Sequence, residues 1–462
     1  MIFQQYYLSC LSHASYLIGD EGTGDAVVVD PQRDVSRYID DAEASRLKIR
    51  HVIETHLHAD FVSGHLELAA ATGADICYGR GAETSFPVRT LGDGERLSLG
   101  QVELEVRATP GHTPESISLV VWDRGDGGQG SAPWGVLTGD TLFVGDVGRP
   151  DLTAGVEPGV TVADMARQLY RSLQEQLLTL PDATRVFPAH GAGSACGKSL
   201  STETSSTLGE QRATNHALRL EGEDAFVAAI TEGQPARPHY FAYDATRNRE
   251  ARGLLDEHTV PPPMSLQEVL AVQAGGGVVL DTSPPEEFAR AHLRGSVNVG
   301  LEGRFAEYAG DVLEPGNPIV LVAEEEHRLE AKVRLARIGF DTVVGCLDEP
   351  LAAFTEHPDL VGRSSRLRAD ELAHRIRSVP VPVIVDVRNP GELDEGSVPG
   401  ARSVPLPRLL DELGELDPQA VTVVYCAGGY RSSIAASLLA ARGWRDVSDL
   451  LGGYAAWKAL NA

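Results

Sequence analysis

Short apolar runs alternate with amphipathic stretches through most of the chain, the pattern of strands interleaved with helices. Residues 8–18 read as a first strand region, and 26–30, Ala-Val-Val-Val-Asp, as a buried strand closed by Pro31. Residues 34–47 are helix-periodic and lead into a strand at 49–55, making a β-α-β unit. A helix over 62–72 follows and is stopped by Gly73. Further strands are predicted at 74–78, 101–107, 116–122, 134–138 and 185–187, with a Gly/Asp-rich turn at 124–130 and a long amphipathic helix over 160–178. From 212 to about 252 the pattern is helical and polar, and Pro261-Pro262-Pro263 forms a stiff joint.

An internal repeat lies beyond that joint. Val279-Leu280-Asp281, Pro285, Glu287, Phe288, Gly295, Ser296 and Val299 align without gaps with Ile384-Val385-Asp386, Pro390, Glu392, Leu393, Gly400, Ala401 and Val404. The expected division is therefore a first domain over 1–245, a linker over 246–263, and two similar α/β domains over 264–361 and 366–462.

Forty basic against sixty-six acidic residues leave a net charge of −26, which repels nucleic acid and anionic lipid, so neither is an expected partner. No apolar run reaches the length needed to span a bilayer, and the first ten residues lack the basic and apolar regions of a secretory signal. Five scattered cysteines, Cys10, Cys77, Cys196, Cys346 and Cys426, point to reduced thiols and a cytoplasmic setting.

The first candidate chemistry sits on the strand-to-helix turn Glu54-Thr55-His56-Leu57-His58-Ala59-Asp60-Phe61, where two imidazoles and a carboxylate suit a metal ion. Alone, the turn could equally be a polar loop bonding its own backbone. Three further strand ends also deliver ligand-type residues: Pro110-Gly111-His112, Gly139-Asp140-Thr141 and Ala189-His190-Gly191. In this order the four motifs resemble the metallo-β-lactamase fold superfamily, which implies an αββα sandwich for the first half of the chain.

Many hydrolases of that superfamily have a histidine directly after the motif's aspartate, where it helps hold a second metal; here that position is Phe61. The remaining pattern resembles the persulfide dioxygenase branch. That resemblance implies one mononuclear Fe(II) held by His56, His112 and Asp140, with open positions for a thiolate sulfur and dioxygen. His58, Asp60 and His190 then stand behind the ligands, fixing tautomers or steering protons, unless His58 itself ligates. Arg149, in a Gly-Arg-x-Asp segment like that of the same branch, pairs either with a substrate carboxylate or with Asp146 or Asp151. Cys196, on a glycine-rich loop with Lys198 nearby, is either a partly ionised persulfide carrier or a bystander.

The last domain, with Asp386-Val387-Arg388, Cys426-Ala427-Gly428-Gly429-Tyr430-Arg431-Ser432 and Gly452-Gly453-Tyr454, resembles rhodanese. A buried strand at 421–425 ends at Cys426, and backbone N–H groups of a helix starting near Ser432, with Arg431, favour a thiolate. The earlier repeat has Ala323-Glu324-Glu325-Glu326-His327 there and no cysteine, so it is expected to be inactive.

Together the resemblances imply oxidation of a low-molecular-weight thiol persulfide, such as glutathione persulfide, by O2 to sulfite and thiol. Sulfane sulfur would move to or from thiosulfate at Cys426, within a homo-oligomeric fusion. The rivals are a glyoxalase II-type thioester hydrolase and a non-catalytic sulfur-binding scaffold.

Overall fold

The computed structural model describes residues 1–125, 132–152, 159–198 and 200–461, and the expected turn at 124–130 lies outside them from 126 onward. The chain divides into two compact units. One comprises Met1–Gln234 with Phe241–Leu255, the other Pro235–Tyr240 with Asp256–Ala462.

In the first unit two six-stranded sheets lie face to face. One runs, in spatial order, Ile2–Leu8, His13–Gly19, Asp25–Val29, Lys48–Ile53, Asp75–Gly79 and Arg89–Leu91; the other Ser206–Thr207, Arg185–Pro188, Gly135–Gly139, Ile117–Asp123, Val102–Ala108 and Arg96–Ser98. Side chains alternate across each strand, so Val27, Val29, Leu119, Val121 and Leu137 meet between the sheets. Ala26 and Val28 turn outward beneath Tyr38, Ala42 and Leu68 of the helices Ser36–Ala44 and His65–Thr72. Val120, Val136 and Val186 turn outward beneath Ala166 and Leu169 of the helix Val162–Arg171 and Phe226 of Glu223–Thr231. Strands buried on both faces explain the near-continuous apolar runs, each such side chain contributing about 1.5–3 kcal/mol.

Three elements differ from the sequence reading. The strand region 8–18 is the turn and second arm of a hairpin whose first arm, Ile2–Leu8, hides behind Gln4 and Gln5. The helix expected from 62 starts at His65, because Gly64 lies against the Gln32 carbonyl, where a Cβ would come within 2.0 Å of the oxygen. The helix over 160–178 is capped by a Thr161–Asp164 box and passes into a π-helical turn at Ser172–Leu177. There Ser172 Oγ donates to the Pro110 carbonyl at 2.7 Å, bracing the loop that carries His112.

Residues 241–255 also pack on this unit. Asn248 Nδ2 donates to the carbonyls of His58 and Phe61 at 2.8 Å each, and its Oδ1 accepts the Ser63 N–H at 2.8 Å. Arg252 and Arg33 both pair with buried Glu67, whose charge they preserve against burial.

The second unit holds two five-stranded parallel sheets of identical order. One is Pro263–Met264, Val343–Leu347, Ile319–Val322, Val278–Asp281, Val297–Asn298; the other Ser365–Leu367, Val447–Leu450, Thr422–Tyr425, Val383–Asp386, Arg402–Ser403. No helix among the described residues is long and apolar enough to cross a membrane.

Asn248→Ala would strand two buried carbonyls and one N–H at the His58–Ser63 turn. The expected loss is about 3 kcal/mol, read as a lower urea midpoint; an unchanged midpoint would show that the 241–255 segment does not hold the turn.

Candidate functional site

Each of the four motif loops leaves a strand at the same end of the sandwich. Gly139, at φ +50°, lies so close to Thr55 that a Cβ would meet Thr55 Oγ1 at 2.7 Å, and this approach brings the Asp140 loop onto the His56 loop. Gly148 makes a second close approach: a Cβ there would stand 1.9 Å from the Asp140 carbonyl oxygen and 3.1 Å from His112 Nδ1. Gly111, at φ +141°, seats the His112 loop against the backbone of Leu169.

His56, His112 and Asp140 converge in a buried cluster, their ligand atoms all within 4.8 Å of one another. Asp140 Oδ2 lies 3.4 Å from His112 Nε2 and 3.8 Å from His56 Nε2. Ligands about 2.1 Å from a common ion lie roughly 3–3.5 Å apart, close to this spacing. His56 Nε2 and Asp140 Oδ2 have no hydrogen-bond partner although both are buried, as expected of atoms that face a cation; His58 Nε2, Asp60 Oδ1 and His190 Nε2 beside them are likewise without one. Burial and the neighbouring histidines push His56 far below its usual range, which keeps it neutral with a free lone pair.

The far side of each ligand is tied down. His56 Nδ1 is 2.9 Å from Thr55 Oγ1, which itself donates to Asp30 Oδ2 at 2.9 Å. His112 Nδ1 donates to the Arg149 carbonyl at 2.8 Å, leaving Nε2 to face the site. Asp140 Oδ1 is 2.7 Å from His190 Nδ1, and His190 Nε2 is 2.7 Å from Asp60 Oδ2. Burial opposes charge on His190, yet the two aspartates outweigh it and hold the imidazole well above its usual range, as a cation clamped between carboxylates.

His58 turns the other way, its Nε2 3.1 Å from Asp30 Oδ1 and 3.5 Å from Glu54 Oε2. Burial, then the Asp30 charge, raises the Glu54 carboxyl well above its ordinary range. Phe61 is fully buried against His58 and His13, with ring centroids 4.4 and 4.0 Å away.

At two residues the structure favours the second of the readings left open by the sequence. Arg149 is buried and makes a bidentate pair with Asp151, 2.7 Å on both arms, while Nη1 donates to the Ala195 carbonyl at 3.0 Å. Its guanidinium therefore holds the loop and is not offered to a substrate carboxylate. Cys196 is not an activated thiol: burial, then the Asp60 and Asp140 charges, pushes it well above its usual range. The Lys198 ammonium points instead to the carbonyls of Ala229 and Glu232. Two more buried groups cluster at ligand spacing, Asp60 with His190 and Cys196, and Asp30 with Glu54 and His58; in the first, His190 Nε2 and Asp60 Oδ2 are 2.7 Å apart.

In the second unit Cys426 follows the strand Thr422–Tyr425 and faces the start of the helix Tyr430–Ala441, two residues earlier than the sequence suggests. Gly429, at φ +106°, donates its N–H to Cys426 Sγ at 3.1 Å, and Ser432 Oγ is 3.6 Å from the sulfur. Arg431 shares its charge with Glu392 through two 2.7 Å contacts. Ala427 and Gly428 are exposed, so the loop opens to solvent in front of the thiol. Gly453 lets the closing helix sit on this loop, since a Cβ there would come within 2.3 Å of the Cys426 carbonyl oxygen. Asp386 and Arg388 form a buried pair at 2.7 Å beneath the loop.

Sequence reasoning missed Asp30, Thr55, Gly148 and Asn248 as parts of the site. Thr55 and Gly148 had a local signal, lying within the His56 turn and the Gly-Arg-x-Asp segment, and Asp30 ends a predicted strand; Asn248 had none.

Residues 8–190 match the metallo-beta-lactamase superfamily, and residues 265–357 and 368–460 each match the rhodanese-like domain. The mitochondrial persulfide dioxygenase ETHE1 of Mus musculus is 30% identical over 216 residues, 46% of this chain and 73% of that protein. A cytoplasmic hydroxyacylglutathione hydrolase of Arabidopsis thaliana is 35% identical over 188 residues, 40% of this chain and 66% of that protein. The crystal structure of a metallo-beta-lactamase from Staphylococcus aureus subsp. aureus COL superposes with a TM-score of 0.67 at 34% identity, covering 75% of this chain and 98% of that one.

Alanine at His56, His112 or Asp140 is expected to abolish metal binding, measured by elemental analysis, whereas His58→Gln keeps one ion per chain. Gly148→Ala, which displaces two ligands at once, should cost about 10–100-fold in metal affinity. Loss of the ion from His58→Gln would contradict the three-residue ligand set.

Proposed function

Because the chain belongs to the metallo-β-lactamase superfamily, has persulfide dioxygenase relatives and carries two rhodanese-like domains, we propose that it is a persulfide dioxygenase fused to a sulfurtransferase. The overall reaction of the first unit is RSSH + O2 + H2O → RSH + sulfite + 2 H+. The carrier RSH is a low-molecular-weight thiol such as glutathione, and five scattered cysteines agree with a reducing, cytoplasmic setting.

The observation that carries the reading is the mononuclear character of the donor set. Two imidazoles and one carboxylate oxygen face a common point, while His58 lies beside Asp30 and His190 beside Asp60, away from that point. A ferrous ion at His56, His112 and Asp140 would supply the redox chemistry that lets dioxygen react with a thiolate sulfur. Thr55 and the Arg149 carbonyl hold the two imidazoles with Nε2 inward. His190 keeps a proton on Nδ1 against Asp140 Oδ1, which turns Oδ2 to the site. Phe61 fills the corner where a histidine would otherwise stand.

In the second unit Cys426 attacks the sulfane sulfur of a donor, forming Cys–S–SH and releasing the donor's thiolate or sulfite. A second acceptor, sulfite or thiol, then takes that sulfur and restores the thiolate. The Gly429 N–H and the helix start stabilise the anionic sulfur in both states.

The hydrolase likeness supports a second reading, thioester hydrolysis at a two-metal site. Phe61, which cannot ligate, weighs against it.

After anaerobic iron loading, glutathione persulfide should drive oxygen uptake with one sulfite formed per O2. Cys426→Ser should abolish thiosulfate-linked transfer and leave oxygen uptake intact. Hydrolysis of a glutathione thioester without oxygen uptake would overturn the dioxygenase reading.

A further inference from the structure

The cysteine-less repeat keeps its sheet but has Ala323 and three glutamates where the last domain has Cys426 and its loop. It touches the last domain through its Phe305–Val312 helix, which packs on Leu406–Arg408 and Leu409–Glu412, and along the Tyr430–Ala441 helix, whose start faces the Cys426 sulfur. At that start the Tyr430 hydroxyl lies 2.7 Å from the Gly300 carbonyl oxygen and 3.1 Å from that of Glu302, so its one proton is shared between two acceptors. The Tyr430 ring meets Tyr308 edge-on, centroids 5.4 Å apart. Midway along the helix, buried Ser437 Oγ accepts the Asn298 N–H at 2.9 Å. Just past its end Arg442 pairs with Glu314 at 2.9 Å. All these partners come from residues 298–314 of the silent repeat.

We infer that the silent repeat is a splint for the Cys426 loop and that Tyr430 is the positioning residue through which it acts. Gly429, which donates to Cys426 Sγ, immediately precedes Tyr430. The closing helix holds the other end of the loop, where the Tyr454 and Ala455 N–H groups donate to the Cys426 and Ala427 carbonyls at 2.6 and 3.1 Å; Ala427 and Gly428 are exposed, and the anchored tyrosine fixes the end that carries the Gly429 N–H. Without that anchor the helix start can shift by a few tenths of an ångström, and hydrogen bonds to an anion weaken steeply with misalignment. Tyr430 also walls a cavity of about 610 Å³, lined by Glu286, Glu324, His327 and Arg334, so the ring is packed by Tyr308 on one side while its hydroxyl is held by the two carbonyls.

This inference rests on Cys426 being the sulfur carrier, and the test separates the two. Tyr430→Phe in the full chain keeps the ring and removes the hydroxyl; Tyr430→Ala removes both. The pH dependence of Cys426 alkylation by iodoacetamide, followed by mass spectrometry of the Cys426 peptide, reports thiolate formation without any sulfur substrate. Tyr430→Phe should raise the alkylation midpoint by about one pH unit. It should also lower kcat for transfer from thiosulfate about tenfold at unchanged melting temperature, the size expected for a hydrogen bond to a charged group. If Tyr430→Phe matches the unsubstituted chain in both readouts and only Tyr430→Ala is impaired, the contact is packing alone and the inference is overturned. If the unsubstituted chain forms no persulfide on Cys426 with thiosulfate or glutathione persulfide, the carrier role fails, while the alkylation profile still decides whether the splint exists.

Discussion

The first unit depends on how a buried carboxylate is divided between two tasks. Asp140 gives one oxygen to His190 and leaves the other without a partner, a state that costs several kcal/mol unless positive charge answers it. His190 supplies part of that charge, and Asp60 keeps His190 protonated from the far side. The remaining demand falls at the point faced by His56 and His112. Three loops thus converge on a place that is electrostatically incomplete without a cation, and close approaches at Gly139 and Gly148 make the convergence sterically feasible.

What could be read along the chain was what is local. The ligand residues sit at strand ends inside short motifs, so His56, His112, Asp140 and His190 were legible, as were the sheets, whose apolar alternation marks which face is buried. The supports were not. Asp30 reaches Thr55 across twenty-five residues and Asn248 reaches His58 across one hundred and ninety, and such pairings leave no trace in a motif. Arg149 and Cys196 show the complementary limit: burial decides both roles. A guanidinium saturated by Asp151 and the Ala195 carbonyl cannot serve a ligand, and a thiol enclosed beside two carboxylates resists ionisation. The Ile2–Leu8 strand escaped notice because its burial is partial and its glutamines break the pattern.

The two repeats show how far a fold outlasts its chemistry. Their strands follow the same order, yet Ser283 stands where the last domain has Arg388, so Asp281 has no guanidinium and burial pushes it up to about 6. In the last domain the corresponding Asp386 is paired with Arg388, which spans to the carbonyls of Glu392 and Gly396 and braces the Pro390–Glu395 turn that brings Glu392 to Arg431. With neither that arginine nor a cysteine at the end of Ile319–Val322, the first repeat keeps the sheet without the loop chemistry of the last, consistent with a role in holding its neighbour.

The most direct test of the central claim, a single cation site made by three loops, is anomalous diffraction at the iron edge from crystals of the iron-loaded chain. The account predicts one peak, about 2.1 Å from His56 Nε2, His112 Nε2 and Asp140 Oδ2, with His58 still turned toward Asp30. Two peaks bridged by Asp140, with His58, Asp60 or His190 swung in as ligands, would contradict it.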